Sequence, residues 1–435
     1  MDEFLKLISP HDFFRILYEN VKLSPKKMET VVFTDALHRI VARDIISPID
    51  LPSFSRSTVD GFAVRADDTA GASEALPGYL TVVGEILIGE KAEIELKTGQ
   101  AIKIPTGGML PSGANAAIMI EYTEYLDENT IEFTRPVAEG ENVVQKGEDI
   151  KKGELLLKKG HLIRPQDIGS LAGLGITEIV VFARPVVALI STGDEIVSPY
   201  VEPKPGEIRD INTYSIGALI EDMGVKIRRI GIVEDSFTEL EKAIHKNLDC
   251  DLILISGGSS VGVKDMTIDV LNSLGEPGVI VHGISIKPGK PTILAVVDNL
   301  PIIGLPGHPA SAWTSFNILV KPIIQILKGE RRLEELNRIG TNVRINRGDL
   351  QVEAILSRNM VSDKGREEYI PVRIKPISDT RLDSVIDRGK VKYIAEPISG
   401  KSSLITTLVQ GDGVIKIDTY QEGLNQGDIV KVQLF

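Results

Sequence analysis

The chain has 435 residues, 42% hydrophobic and 25% charged, a composition ordinary for globular proteins, and its length predicts roughly two to four domains. The net charge of −12 argues against a nucleic-acid-binding surface, although a few well-placed lysines still allow a local pocket for a small anion. The single cysteine, Cys250, excludes an intrachain disulfide and, with only six histidines, a Cys-rich zinc site.

This cysteine usage fits a reducing cytoplasm. The segment Met1 to Lys6 has no basic region followed by a long apolar one, so no secretory signal is expected. No apolar run approaches the roughly 18 residues that would suggest a membrane span. Ser9-Pro10-His11-Asp12 predicts a helix start, with a capping hydroxyl, proline in the first turn and an early carboxylate. Phe13, Ile16 and Leu17 then share one face. From about Leu80 to Val144 short β segments alternate with turns, and Leu126 to Phe133 reads as a hairpin with Asp127 and Asn129 in its turn.

Residues 184–330 alternate strands with helices. Val186 to Ile190, Val225 to Val233, Leu252 to Ile255 and Pro301 to Ile303 read as strands. Between them, Asn212 is placed to cap a helix carrying Ile216, Leu219, Ile220 and Met223 on one face, with Gly224 as its stop. Ser236 with Glu239 predicts a capping box, and a last helix starts near Ala310. This order predicts a doubly wound parallel sheet with ligand loops at the C-terminal ends of its strands. Beyond it, Asn342 to Ile345, Tyr369 to Ile374, Gly413 to Ile417 and Asp428 to Leu434 predict a small β-barrel or sandwich.

Six loops carry candidate chemistry. Ser256-Gly257-Gly258-Ser259-Ser260-Val261-Gly262, closed by Asp265, follows a buried strand and precedes a helix. Glycine lets the backbone approach oxygens, serine hydroxyls donate, and the helix start is partially positive, so the loop suits a phosphate. Ser191-Thr192-Gly193-Asp194-Glu195 puts two carboxylates at a strand end, where they suit a metal better than packing. Lys287-Pro288-Gly289-Lys290-Pro291 is a stiff loop with two lysines able to face one anion. Gly304 to Ser311, with Pro306 and Pro309, is a rigid strand-to-helix link in which His308 is either a base or structural. Asp60-Gly61 offers a carboxylate and Thr106-Gly107-Gly108 a backbone for an anion, but in isolation both read first as plain turns. Neither a Walker A loop, a dinucleotide fingerprint nor a nucleophile elbow is present, so the expected chemistry is oxyanion and metal handling without a covalent nucleophile.

These loops, in this order over essentially the whole chain, resemble the molybdopterin molybdenumtransferase family, MoeA in bacteria and archaea and the gephyrin E domain in animals. The motifs are Leu51-Pro52 through Val64, Pro105 to Gly108, Ser191 to Glu195, Ser256 to Asp265, Lys287 to Pro291 and Leu305 to Ser311. The resemblance implies an enzyme of molybdenum cofactor biosynthesis. It would hydrolyse adenylylated molybdopterin in the presence of molybdate and a divalent metal such as Mg²⁺, leaving molybdenum on the dithiolene and releasing AMP. It also implies a multidomain α/β plus β fold: an elongated dimerisation domain (1–45 and 145–183), a β-rich inserted domain (46–144), a MoaB/MogA-like α/β domain (184–330) and a C-terminal β-barrel (331–435). A cytoplasmic homodimer with its cleft between subunits is expected, supplied by a molybdopterin adenylyltransferase upstream, with no nucleic-acid or membrane partner.

Carried over position by position, the family's acidic residues fall on Asp60, Asp149, Glu195, Asp235 and Asp265, and its Thr-Gly threonine on Thr106. Lys287, Lys290, Pro306, Pro309 and Ser402 match its loop lysines, prolines and C-terminal serine. The resemblance casts Asp265 and Glu195 as metal ligands, Ser256 to Gly262 as the phosphate cradle, and Lys287 and Lys290 as holders of molybdate or of charge on phosphorus. The chain departs from the family at His308 for Asn, at Gly283 for Lys and at Pro371 for Arg, with Arg366 or Arg373 as candidate replacements for that arginine. Molybdate and tungstate are both open as the oxyanion. The alternatives are a molybdopterin adenylyltransferase, whose relatives lack the extra β domains, and a non-catalytic pterin-binding scaffold.

Overall fold

The computed structural model describes residues 7–257, 264–330, 350–377, 391–398 and 400–435, and the side chains of Lys264 and Asp265 lie outside that description. The chain forms two compact units, residues 30–181 and residues 1–29 together with 182–435. Helix α1 (Pro10–Asn20) belongs to the second. Its start is as expected: Ser9 Oγ accepts the Asp12 N–H at 3.0 Å and Pro10 opens the helix. Phe13, Phe14 and Leu17 are buried.

The 30–181 unit is built on one six-stranded sheet of β1 (Gly61–Val64), β2 (Gly78–Glu85), β3 (Gln100–Ile104), β4 (Ala116–Met119), β5 (Thr123–Tyr125) and β6 (Thr130–Phe133). The strand order is β4-β1-β3-β2-β6-β5, parallel only between β2 and β3. The sheet begins earlier than the Leu80 expected, because β1 is buried along its whole length and shows no alternation to read. The hairpin β5–β6 is the expected one; Asp127 Oδ1 accepts the Asn129 N–H at 2.8 Å in its turn. The same unit carries α2 (Pro165–Gly173).

In the second unit the α/β part runs β7 (Val186–Thr192), α3 (Asn212–Asp222), β8 (Lys226–Val233), α4 (Phe237–His245), β9 (Leu252–Gly257), α5 (Lys264–Ser273), β10 (Pro277–His282), β11 (Ile286–Lys287), β12 (Ile293–Val297), β13 (Leu300–Leu305), α6 (Pro309–Ser315) and α7 (Lys321–Lys328). Its sheet has the order β8-β7-β9-β13-β12-β10. The first four strands are parallel, as expected. The edge strands β12 and β10 are antiparallel, an addition not foreseen. The cause is the connection: β12 and β13 are joined by Asp298-Asn299, both with positive φ, a two-residue reversal too short for a crossover.

Alternate residues of the central strands serve two cores. Val187, Leu189, Leu254 and Ile303 pack with α1, α3 and α7 on one face. Ala188, Ile190, Ile253, Ile255 and Ile302 pack with α4 and α5 on the other. Helix α3 begins at Asn212, but the cap is not its side chain: Asp210 Oδ1 accepts the Thr213 N–H at 3.0 Å.

The C-terminal strands are β14 (Gln351–Leu356), β15 (Glu367–Pro376), β16 (Tyr393–Pro397), β17 (Gly413–Ile417) and β18 (Ile429–Leu434), with the short α8 (Thr406–Val409) before β17. They pair in the order β15-β16-β14-β18-β17, and β17 returns to β15, closing a five-stranded barrel. The expected strand at Asn342 to Ile345 lies outside the described residues. The barrel joins the α/β part where β11 adds in parallel to β15 and where the Phe435 ring meets Trp313 of α6 edge-on at 4.7 Å, among other contacts.

Candidate functional site

The C-terminal ends of the parallel strands open into a cleft of about 1040 Å³, closed on its far side by the barrel. This is the position that doubly wound sheets reserve for ligands, and the volume suits a large one. From the sheet side it is lined by Glu195 after β7, Asp235 after β8, Gly257 at the end of β9, Lys287 to Pro291, and Pro306 to His308 after β13. From the barrel side it is lined by Arg366, Glu368 to Pro371 and Lys401 to Ser403, among others.

Local geometry explains why these loops hold their shape. Gly257 has φ +109°, and a Cβ there would sit 1.9 Å from the Thr192 carbonyl oxygen, so only glycine lets β9 pair with β7 at this point. Thr192 Oγ1 donates to Asp235 Oδ1, and the Asp235 N–H donates to Asp194 Oδ1 at 3.1 Å, tying the loops after β7 and β8 together. The lysine loop is cross-braced: Ile284 N–H donates to Lys290 O and Gly283 N–H to Thr292 O, both at 2.9 Å, while Thr292 Oγ1 donates to Gly289 O at 2.8 Å. Gly289, at φ +122°, has no room for a Cβ beside Ile286 and Ser315.

Of the residues singled out in the sequence, Glu195, Asp235, Gly257, Lys287, Lys290, Pro306 and Ser402 line this cleft together. Ser256 and Pro309 are buried and do not line it. Ser256 Oγ instead accepts a hydrogen bond from Asn212 at 2.8 Å. Gly258, Ser259, Ser260 and Gly262 lie outside the described residues, as does the Asp265 side chain. Asp60, Thr106 and Asp149 belong to the 30–181 unit. There the Thr106 N–H donates to Asp60 Oδ1 at 2.7 Å, and this bond, with one from the Thr106 side chain, holds the Asp60 carboxyl below the usual carboxylate range.

The departures noted in the sequence also find places. His308 Nδ1 is 3.0 Å from Ser402 Oγ, and the Ala310 N–H donates to Ser402 O at 3.1 Å, so the strand-to-helix loop grips the barrel loop. Pro371 lines the cleft; of the two candidate replacement arginines, Arg366 does too and Arg373 does not.

Asn212 was missed as a site residue. Its Nδ2 donates to Ser256 Oγ and to Gly307 O, each at 2.8 Å, so one side chain pins the ends of β9 and β13. A capping pattern is local and carries no sign of this long-range role.

The cleft thus pairs cations (Lys287, Lys290, Arg366, Lys401) with carboxylates (Glu195, Asp235, Glu368). Among the described residues no group of three or more His, Cys, Asp and Glu is close enough to hold a metal ion. Two carboxylates at adjacent strand ends still fit Mg²⁺, which takes hard oxygen donors and usually keeps waters or substrate phosphate oxygens in its remaining positions. Among the described residues no helix is long and apolar enough to cross a membrane.

A doubly wound α/β domain whose strand ends face a closed barrel across a charged cleft defines a class of multidomain anion-handling protein. Comparison with known proteins narrows it. Residues 8–175 match the MoeA N-terminal region (domain I and II), residues 188–326 a domain described as a probable molybdopterin binding domain, and residues 353–435 the MoeA C-terminal region (domain IV). The molybdopterin molybdenumtransferase of Haemophilus influenzae is 37% identical over 412 residues, 94% of this chain and 95% of that protein. That of Bacillus subtilis is 32% identical, covering 93% and 89%. A crystal structure of a molybdopterin biosynthesis MoeA protein from Pyrococcus horikoshii is similar over 99% of both chains, at TM-score 0.78 and 37% identity. The chain belongs to the MoeA family of molybdopterin molybdenumtransferases.

Proposed function

We propose that this protein inserts molybdate, or tungstate, into adenylylated molybdopterin with release of AMP, a step of molybdenum cofactor biosynthesis. The observation that carries this reading is the cleft at the strand ends, where lysines and carboxylates face one space large enough for a nucleotide-bearing ligand. Releasing AMP requires cleavage of a phosphoanhydride, with negative charge growing on the phosphoryl oxygens. Lys290 and Lys287, on a loop whose backbone is braced by hydrogen bonds, would set positive charge against it. Glu195 and Asp235, with Asp265, would hold Mg²⁺, which when bound neutralises phosphate charge and polarises the scissile bond. The Gly257 backbone and the loop that follows it receive the phosphates. Pro306 and His308 close the wall beside Ser402, which orients the oxyanion.

Asp60, Thr106 and Asp149 complete the reading as residues brought to the cleft by the 30–181 unit of a partner subunit in a cytoplasmic homodimer. The substrate would come from an adenylyltransferase. The test is AMP release from adenylylated molybdopterin and Mg²⁺, with molybdate and tungstate in parallel. Oxyanion-stimulated release is expected, and the more effective oxyanion identifies the physiological one. A folded protein that binds the pterin and releases no AMP with either would overturn the enzymatic reading in favour of a scaffold.

A further inference from the structure

We propose that Glu368 is a built-in counter-anion for Lys287 that sets how tightly the cleft holds an oxyanion, so that the two lysines of the Lys-Pro-Gly-Lys-Pro loop have different tasks. The inference rests on the reading of the cleft as an oxyanion site and assigns a residue within it.

The pairing is imposed by the backbone. Strand β11 runs parallel to the start of β15, with Ile286 opposite Glu367 and Lys287 opposite Glu368. The Glu367 N–H donates to Ser285 O at 2.9 Å and fixes that register. Lys287 Nζ lies 3.1 Å from Glu368 Oε1. The other carboxylate oxygen, Oε2, accepts from Ser362 Oγ at 2.7 Å. Both oxygens are therefore held, and the Glu368 side chain is only 14% exposed. Asp363, 3.8 Å from Lys287 and 71% exposed, adds a second, screened negative charge.

Lys290 differs. It is exposed, lines the same cleft, and makes no ion pair among the described residues. An oxyanion entering the cleft meets Lys290 as an uncompensated cation. It meets Lys287 only in competition with a carboxylate that is already in place and partly desolvated, where like-charge repulsion is strong. Glu368 is thus a positioning residue that fixes Lys287 and a specificity residue that weakens oxyanion binding.

The experiment is calorimetric titration of the full-length protein with tungstate alone, which needs neither pterin nor turnover. Glu368→Gln keeps the shape and the Ser362 partner but removes the charge, and should tighten tungstate binding by about tenfold. Lys287→Met leaves Glu368 unbalanced and should weaken it. The double variant removes both charges and should return to within about threefold of the parent. Lys290→Ala should weaken binding, and Glu368→Gln should tighten it by a similar factor in that background as in the parent, since Glu368 pairs with Lys287 and not with Lys290. A role confined to supporting the loop predicts the opposite sign for Glu368→Gln, namely weaker binding. Weaker or unchanged binding in that variant, with tungstate still bound by the parent, overturns this proposal and leaves the enzymatic reading intact. Tungstate bound by no variant overturns the oxyanion site and this proposal together. Should Glu368→Gln fail to fold, Glu368→Ser removes the same charge and must shift affinity in the same direction.

Discussion

Asn212 ties two loops of the site together through one side chain. It is 6% exposed and donates to two different strand ends. Replacing it with alanine removes both bonds and leaves the buried Ser256 hydroxyl and the Gly307 carbonyl at the cleft wall with fewer partners. Asn212→Ala should therefore lower stability by about 1–2 kcal/mol, read as a shift of the urea midpoint at unchanged slope. It should also weaken tungstate protection against thermal unfolding, since both loops it pins line the cleft. Nothing in the sequence around Asn212 signals this. Asparagine ahead of an apolar helical stripe is a common cap, whereas its real partners lie 44 and 95 positions away. The lysine, glycine and proline loops were legible because their chemistry is local: a stiff backbone, a charge, and a preceding buried strand.

Elements show the same division between local and long-range information. Helix–strand alternation was readable from capping signals and apolar periodicity. Strand β11 was not, because two residues become a strand only where the barrel supplies a partner. The antiparallel edge was legible in principle, since Asp298-Asn299 between two apolar runs is a reversal signal. Helix α2 offers a test at this scale. Its third residue, Asp167, accepts the Arg164 N–H at 2.8 Å and hydrogen bonds from the Arg164 guanidinium, and His161 Nε2 lies 2.7 Å away. Burial pushes the Asp167 carboxyl up, but the bonds from Arg164 and His161 outweigh it and hold it down to about 2. A depressed folded value stabilises the protein above the unfolded value and is lost as pH falls through the folded one. Asp167→Asn should thus cost about 2 kcal/mol at pH 7. Roughly half of that difference should remain at pH 3, and it should vanish below about pH 2. Urea unfolding followed by circular dichroism across that range reads the difference; a constant gap at all pH values would assign the bonds no charge component.

At the scale of the molecule, the 30–181 unit is an insertion into the other. The chain leaves and re-enters the second unit at neighbouring points: the Ala183 N–H donates to Lys27 O at 2.9 Å. Every residue lining the cleft, from Gly193 to Val414, comes from that second unit, and so does α1, whose Phe13 and Leu17 complete its core. Replacing residues 30–181 by a short Gly/Ser linker should therefore leave a folded protein, because the joined ends already lie side by side and loop closure between close ends costs little. Its tungstate affinity should stay within about threefold of the parent, since the cations of the cleft, Lys287, Lys290, Arg366 and Lys401, all remain. On the assignment proposed above for Asp60, Thr106 and Asp149, AMP release should be abolished, because these residues leave with the insertion. Removing α1 as well should prevent folding, because losing even one buried phenylalanine such as Phe13 costs about 3–5 kcal/mol. Retained binding with lost turnover would assign recognition to one unit and completion of the reaction to the other. Lost binding in a folded excision variant would mean that the insertion itself holds the oxyanion, and the division of labour between the units would fall.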